Sequence, residues 1–350
     1  MNSKERVLTA LQHHTTDRIP VARCHGFWLQ ETRQALMNRF KLRGEETLDA
    51  LLNFDVQWLE AIYRGPDLGQ DDQGRNLSIW GLPEGVYTYS QQMYRPLAGI
   101  QTVSQVANYP WPKVEWFDFS YVRTCAMRYQ DYAVAAPRSW SPIFSRIADL
   151  CGFETALIFL QTQPALIEAM VEKITEFNCE FYARLLDAAP GLIHILLVGD
   201  DPAGQDRMLM NPGVWRKYFK PSLQRIFAIA KARGVMTMYH VCGNCRAIIP
   251  DLIEIGMDIL MPLQISAMEM HPGELKREFG QEISFWGGVD VQHFLPNASP
   301  AEVRAEVRRL IDILGEEGGY VLSSSHNLLG DIPVDNILAM YDEAVHYYPY

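Results

Sequence analysis

The sequence predicts an α/β fold, a (β/α)8 barrel of the TIM type, and two observations carry that expectation. Eight short, apolar, β-rich runs recur along the chain, and long helical patterns separate most of them. No repeat, low-complexity tract or linker divides the chain. Near-continuous apolar strands alternating with helices form parallel sheets covered on both faces, and eight such units close into a barrel. The 350 residues suit a single domain over 1–350 that carries an insertion.

Taken in order, the runs are Arg18 to Val21, Asp55 to Ile62, Tyr132 to Ala136, Leu192 to Val198, Val235 to Tyr239, Asp258 to Met261, Ile283 to Trp286 and Tyr320 to Leu322. Between the last two, Ser299 and Pro300 open a helix with Val303, Val307, Leu310, Ile311 and Leu314 on one face, and Gly315 closes it. A side-chain cap before a first-position proline is a helix start signal. From Pro164 to Leu186 the stripe is Ile167, Met170, Val171, Ile174 and Phe177. The segment Arg64 to Phe119, between the second and third runs, breaks the rhythm. It is rich in Gly, Pro, Tyr and Trp (Trp80, Tyr87, Tyr89, Tyr94, Trp111, Trp116) and reads as a loop and hairpin insertion over the barrel.

A net charge of −11 argues against a nucleic-acid or anionic-membrane surface, because both need a basic footprint. No apolar run approaches the roughly 20 residues a membrane helix requires. The charged start, Met1 to Arg6, runs into Val7, Leu8 and Leu11 at helical spacing and is no signal peptide, so a cytoplasmic protein is expected. The six cysteines are scattered except Cys242 and Cys245. In a reducing compartment that pair reads as metal or redox chemistry before it reads as a disulfide.

Polar residues just after each barrel strand converge on one mouth, where catalysis sits. The first run supplies Arg23, Cys24 and His25, with Trp28 close behind, and the fourth supplies Asp200 and Asp201. The fifth gives His240 and Cys242, the sixth Gln264, the seventh Asp290 and Gln292, and the eighth Ser325, His326 and Asn327. So many ionisable strand ends point to an enzyme. Among them, Arg23, Asp200, Asp201 and Asp290 are candidates for catalysis, and His25, Trp28, Gln264 and Asn327 for substrate binding. Adjacent carboxylates in a strand face opposite sides, so at most one of Asp200 and Asp201 aims into the mouth; the other reading of such a carboxylate is a cap of the following helix or turn. The one in the mouth either orients His240 or acts as an acid or base.

The sharpest local feature is Tyr239 to Cys245. Imidazole and thiolate are preferred zinc ligands, and a His-x-Cys spacing in extended chain puts both side chains on one face. One turn supplies two ligands, and the rest must come from other strand ends. Cys245 falls in the first turn of a following helix and is expected to pack inward. His194 lies within its strand and is expected in the core or facing a helix.

Several segments then resemble the uroporphyrinogen decarboxylase superfamily: Glu5 to Leu11 followed by Asp17 to Val21, Val198 to Gln205, His240 to Gly243, Leu252 to Asp258 followed by Pro262 to Gln264, Trp286 to Asp290, and Asp331 to Asn336. The resemblance spans nearly the whole chain and implies the same barrel. Two chemistries compete within the superfamily. True uroporphyrinogen decarboxylases carry an Arg-Gln-Ala-Gly-Arg-Tyr segment after the first strand, and Ala22 to Trp28 holds one arginine and none of that motif. A substrate with many carboxylates needs several cations, because buried unpaired carboxylates are costly. The zinc- and corrinoid-dependent methyltransferases are similar to this chain at His240 and Cys242, and their third ligand aligns with His326. That resemblance implies zinc as the cofactor, a corrinoid carried by a separate partner protein, and a small-molecule methyl donor or acceptor. A methoxylated aromatic undergoing O-demethylation is the expected substrate. A homodimer stays open. The alternatives are a tetrapyrrole decarboxylase, which would need no metal, and a non-catalytic barrel that binds a corrinoid or tetrapyrrole.

Overall fold

The structure, a computed structural model, describes residues 1–43, 45–84, 94–347 and 349, with the backbone alone for 45–47. Tyr87 and Tyr89 of the expected insertion lie outside the described residues.

Seven of the eight apolar runs form strands of one parallel sheet: Val56–Trp58, Ala133–Ala136, Ile195–Gly199, Met236–His240, Ile259–Leu263, Ser284–Val289 and Tyr320–Ser324, each paired with its successor in that order. The first run does not become a regular strand. Val21 makes a single parallel bridge to Leu322, flanked by Ala22 N–H to Leu322 O at 3.1 Å and Leu322 N–H to Pro20 O at 2.9 Å. On its other side, Asp55 N–H donates to Val21 O at 2.9 Å. A short stretch of chain thus bonds the last strand on one edge and the first on the other, which closes the barrel.

Side chains pack on both faces of the sheet. Val56, Trp58, Ala133, Ala135, Ile195, Leu197, Met238, Ile259, Met261, Trp286 and Val321 form the inner cluster, and Trp58 meets Trp286 edge-to-face at 6.3 Å. The alternate residues Val134, Leu196, Val198, Tyr239 and Phe285 belong to a second, larger cluster with the helices. This period of two follows from the pleat, and the filled interior makes the barrel a core and not a pore. Gly287 serves that packing. Its φ is +122°, and a Cβ there would lie 2.9 Å from the Leu263 backbone nitrogen, so neighbouring strands approach too closely for any side chain.

The helix Pro300–Leu314 starts as its sequence dictates. Ser299 Oγ accepts from Glu302 N–H at 3.4 Å, and Glu302 Oε2 accepts from Ser299 N–H at 2.7 Å, a reciprocal cap of a kind that contributes about 1 kcal/mol. The long helix Pro164–Asp187 buries Ile167, Met170, Val171, Ile174 and Phe177. Across the segment between the second and third runs, Ile62–Tyr63 pairs antiparallel with Phe117–Asp118. Between them the described chain is mostly irregular, and Trp80 packs edge-to-face on Phe177 of the long helix at 5.2 Å.

At the amino-terminal end of the sheet, buried Asp55 accepts from Arg6 Nη1 at 2.8 Å, Arg18 Nη1 at 2.7 Å, Arg18 Nη2 at 2.9 Å and Val21 N–H at 2.9 Å. The carboxylate replaces strand pairing at the point where the first run is too short to supply it. No helix among the described residues is long and apolar enough to cross a membrane.

Candidate metal centre at the barrel mouth

The pleat decides which strand-end side chains reach the mouth. Ile195 and Leu197 point inward, so Asp201 continues the inner face and Asp200 points out. Asp200 Oδ2 accepts from the N–H groups of Ile143 at 3.0 Å and Phe144 at 2.6 Å, and Oδ1 from Ser145 N–H at 2.9 Å and Ser145 Oγ at 2.8 Å. It caps the helix Phe144–Cys151. Met238 is likewise inward, and His240 and Cys242 follow it on the same face.

His240 is almost fully buried, and its ring is held from two sides. His25 Nδ1 lies 2.8 Å from Asn327 Oδ1, and His25 Nε2 lies 3.2 Å from His240 Nδ1. Because the amide oxygen only accepts, His25 carries its proton on Nδ1 and presents the Nε2 lone pair to His240 Nδ1–H. His240 Nε2 is then left as a bare lone pair. It faces Cys242 Sγ at 3.5 Å and Asp201 Oδ1 at 3.8 Å. The Trp140 indole stacks on the other face of the imidazole, with centroids 3.9 Å apart and planes 23° apart. Gly199 permits that stack, since a Cβ there would sit 2.7 Å from His240 Cβ and 2.8 Å from Trp140 Cδ1.

Asp201, His240 and Cys242 each offer a ligand atom within 4.8 Å of the others, and so do His25, His240 and His326. The two groups share His240. The tautomer chain separates them, because the nitrogen His25 turns toward His240 is already engaged. Metal–nitrogen and metal–oxygen bonds of about 2.0–2.1 Å and a metal–sulfur bond of about 2.3 Å place tetrahedral ligands roughly 3.3–3.6 Å apart. The observed 3.5 and 3.8 Å fit a divalent cation held by Nε2, Sγ and a carboxylate oxygen.

Electrostatics match that donor set. Burial, with His25 and His326 beside it, pushes His240 well below its ordinary value, and burial, with Asp201 beside it, pushes the Cys242 thiol well up. About a third of the Asp201 side chain reaches solvent, yet the surrounding wall raises its carboxyl to about 6. Burial lowers His25 to about 3 and lowers His326 too. Burial thus shifts all five side chains toward their neutral forms, and a dication is the charge that would stabilise thiolate and carboxylate there.

The remaining expected residues have other partners. Arg23, expected in catalysis, is buried and pairs through Nη2 with Asp49 Oδ2 at 3.1 Å, and Trp28 Nε1–H donates to Asp49 Oδ1 at 3.1 Å. The Arg23 guanidinium also lies 5.7 Å over the Trp28 ring, so both serve one structural cluster. Asp290 accepts from the N–H groups of Gln292, His293 and Phe294 at 3.0, 3.0 and 3.1 Å, which makes it a turn cap. Gln264 Oε1 accepts from Gly243 N–H at 2.8 Å and its amide donates to Gln205 and Gln292. It fixes the turn that presents Cys242. Asn327 acts through His25, as above. Cys245 is fully buried, as its place in the turn suggested. His194 is half-buried, and its Nδ1 accepts from Val134 N–H at 3.0 Å. Sequence reasoning missed Trp140. Its signal was position, in the loop that follows Ala133–Ala136, but an indole is not an ionisable strand-end group.

The uroporphyrinogen decarboxylase (URO-D) family model matches residues 141–348, more than half of the chain. The chain belongs to the URO-D family. Within it, a methylated-thiol–coenzyme M methyltransferase of Methanosarcina mazei is 25% identical over 196 residues, 55% of this chain and 50% of that protein. A uroporphyrinogen decarboxylase of Thermus thermophilus is 23% identical over 176 residues, 50% of this chain and 47% of that protein. A methylcobamide:CoM methyltransferase of Methanosarcina barkeri is 23% identical over 202 residues, 57% and 55% of the two chains. These alignments span about half the length of each relative. A solved methyltransferase from Methanosarcina mazei superposes with a TM-score of 0.70 at 16% identity, covering 99% of this chain and 98% of that one. That superposition establishes the barrel fold of this URO-D member along its length.

Proposed function

We propose that this URO-D member, a single domain over 1–350, is a zinc-dependent methyltransferase that passes a methyl group between a small substrate and a corrinoid on a separate protein. The proposed substrate is a methoxylated aromatic, demethylated at oxygen. The observation that carries the reading is His240 Nε2, freed by its tautomer, 3.5 Å from Cys242 Sγ and 3.8 Å from Asp201 Oδ1. Relatives named for methyl transfer to coenzyme M, one of them from a methylcobamide, support it.

In this reading His240, Cys242 and Asp201 hold the zinc, which supplies a Lewis acid for the ether oxygen. Asp201 Oδ1 also accepts from Cys242 N–H at 3.1 Å, so one carboxylate both binds and positions the neighbouring ligand. His25 and Asn327 fix the imidazole, and Trp140 covers its face and excludes water from it. His326, the third ligand implied by the resemblance, groups with His25 and His240 and not with Cys242. It is therefore assigned to the wall of the site, and Asp201 takes its place.

The decarboxylase reading has a named relative but little cationic support at the first strand end, where Arg23 is taken by Asp49. Metal analysis after zinc reconstitution decides between them. The account expects about one zinc per chain, strongly reduced in Asp201→Asn and largely retained in His326→Ala. A metal-free protein that converts uroporphyrinogen with release of carbon dioxide would replace this reading with the decarboxylase.

A further inference from the structure

Beside the metal centre, past the ends of Val56–Trp58 and Ala133–Ala136, lies a cavity of about 410 Å³. Aromatic rings are prominent in its wall, among them Trp80, Phe117, Phe177, Phe181, Tyr182 and Trp140. Trp140 borders both, because the indole that lines the cavity is the one stacked on His240. The volume lies in the range of pockets that enclose whole small molecules, which are mostly apolar with a few placed polar groups.

Arg146 is the one cation among the described residues that line it. Its side chain is 17% exposed, and its face lies over the Trp80 ring with 5.0 Å from Cζ to centroid. Nη1 donates to Asp149 Oδ2 at 3.2 Å. The adjacent Nε–H is buried and has no hydrogen-bond partner, and neither has the buried hydroxyl of Ser141 on the same wall. Buried donors without acceptors cost stability, and a ligand that supplies acceptors recovers it. Guanidinium presents its N–H groups as a planar fork that fits a carboxylate. Of the acids on the wall, Glu60 accepts from Ser139 Oγ at 3.3 Å and is pushed up by burial against the pull of Arg138, and Glu84 is exposed at the rim.

We propose that this cavity is the substrate subsite and selects an aromatic carboxylic acid, its ring against the aromatic wall and its carboxylate on Arg146 and Ser141. This rests on the methyltransferase reading for what the bound molecule donates, but the recognition stands on the cavity alone. A two-carbon sulfonate such as mercaptoethanesulfonate would leave most of the ring wall uncovered, so the wall argues for the larger, flat body.

Calorimetric titration of the purified protein, without corrinoid and with or without zinc, tests this with three probes: 4-methoxybenzoate, 4-methoxybenzamide and mercaptoethanesulfonate. The acid should bind at least about tenfold more tightly than its neutral amide, a difference of about 1.4 kcal/mol. Arg146→Gln should erase that preference while leaving the amide's affinity as it was, and Ser141→Ala should weaken the acid a few-fold. Should Arg146→Gln fail to fold, the wild-type ratio of acid to amide and the Arg146→Lys variant decide. Equal binding of acid and amide, no saturable binding of either, or tighter binding of the sulfonate than of the aromatic acid overturns the proposal. A preference for the acid without any methyl transfer would sink the methyltransferase reading and leave the subsite standing. Methyl transfer without that preference would do the reverse.

Discussion

The two ends of the barrel each bury a polar cluster, and the clusters are built on opposite rules. At the amino-terminal end every charge is met: Asp55 takes two arginines and a backbone amide, and Arg6 also reaches Asp17 at 2.7 Å. At the carboxyl-terminal end His25, His240, Cys242 and Asp201 lie within hydrogen-bonding or near-contact distance with no cationic side chain bonded to them among the described residues. Burial there favours neutral forms, and His240 is tuned to keep a lone pair free. The first cluster finishes a fold, because it stands in for a missing strand. The second leaves its bonding capacity open, which serves a ligand better than it serves stability. The difference teaches that burial and polarity alone do not mark a functional site; unmet coordination does.

That comparison can be broken in three places. The largest effect should come from Cys242→Ala, which removes a ligand: zinc should fall from about one per chain to near zero by elemental analysis, with Tm hardly changed. Loss of more than the 10–100-fold in affinity expected for an outer partner marks a true ligand. Asp55→Ala should do the opposite, leaving two guanidinium groups without their buried partner. Chemical denaturation should report a loss of about 3–5 kcal/mol, with zinc per folded chain unaltered. A smaller effect is expected from Asn327→Ala, which releases the His25 tautomer. Zinc affinity in competition with a chelator should weaken about 10–100-fold, and stability should move little. Zinc lost in Asp55→Ala but kept in Cys242→Ala would invert the comparison.

Much of this was legible in the sequence where a rule is local. Ser299 and Pro300 announce their helix, the apolar runs announce seven strands, and His240 with Cys242 announces a pair of donors on one face. The pleat even fixes in advance that only one of Asp200 and Asp201 enters the mouth. What stayed hidden depends on partners distant in the chain. Asp200 caps a helix that starts more than fifty residues before it, and Asp49 neutralises Arg23 across an intervening helix. The first run reads as a strand, but its bonding is completed by the Asp55 side chain, which no periodicity reveals. Trp140 stacks on His240 only because Gly199 leaves room for it.

The central claim is that the open cluster at the mouth works in methyl transfer, and following cobalt tests it most directly. Zinc-loaded protein is mixed anaerobically with a reduced corrinoid, free cob(I)alamin or a corrinoid protein, and a methoxylated aromatic, and the visible spectrum is recorded. The account predicts conversion of the reduced corrinoid to its methylated form, with release of the phenol, and loss of that conversion in Cys242→Ala. Undiminished conversion in Cys242→Ala, or none with any methyl donor and any reduced corrinoid, would contradict it.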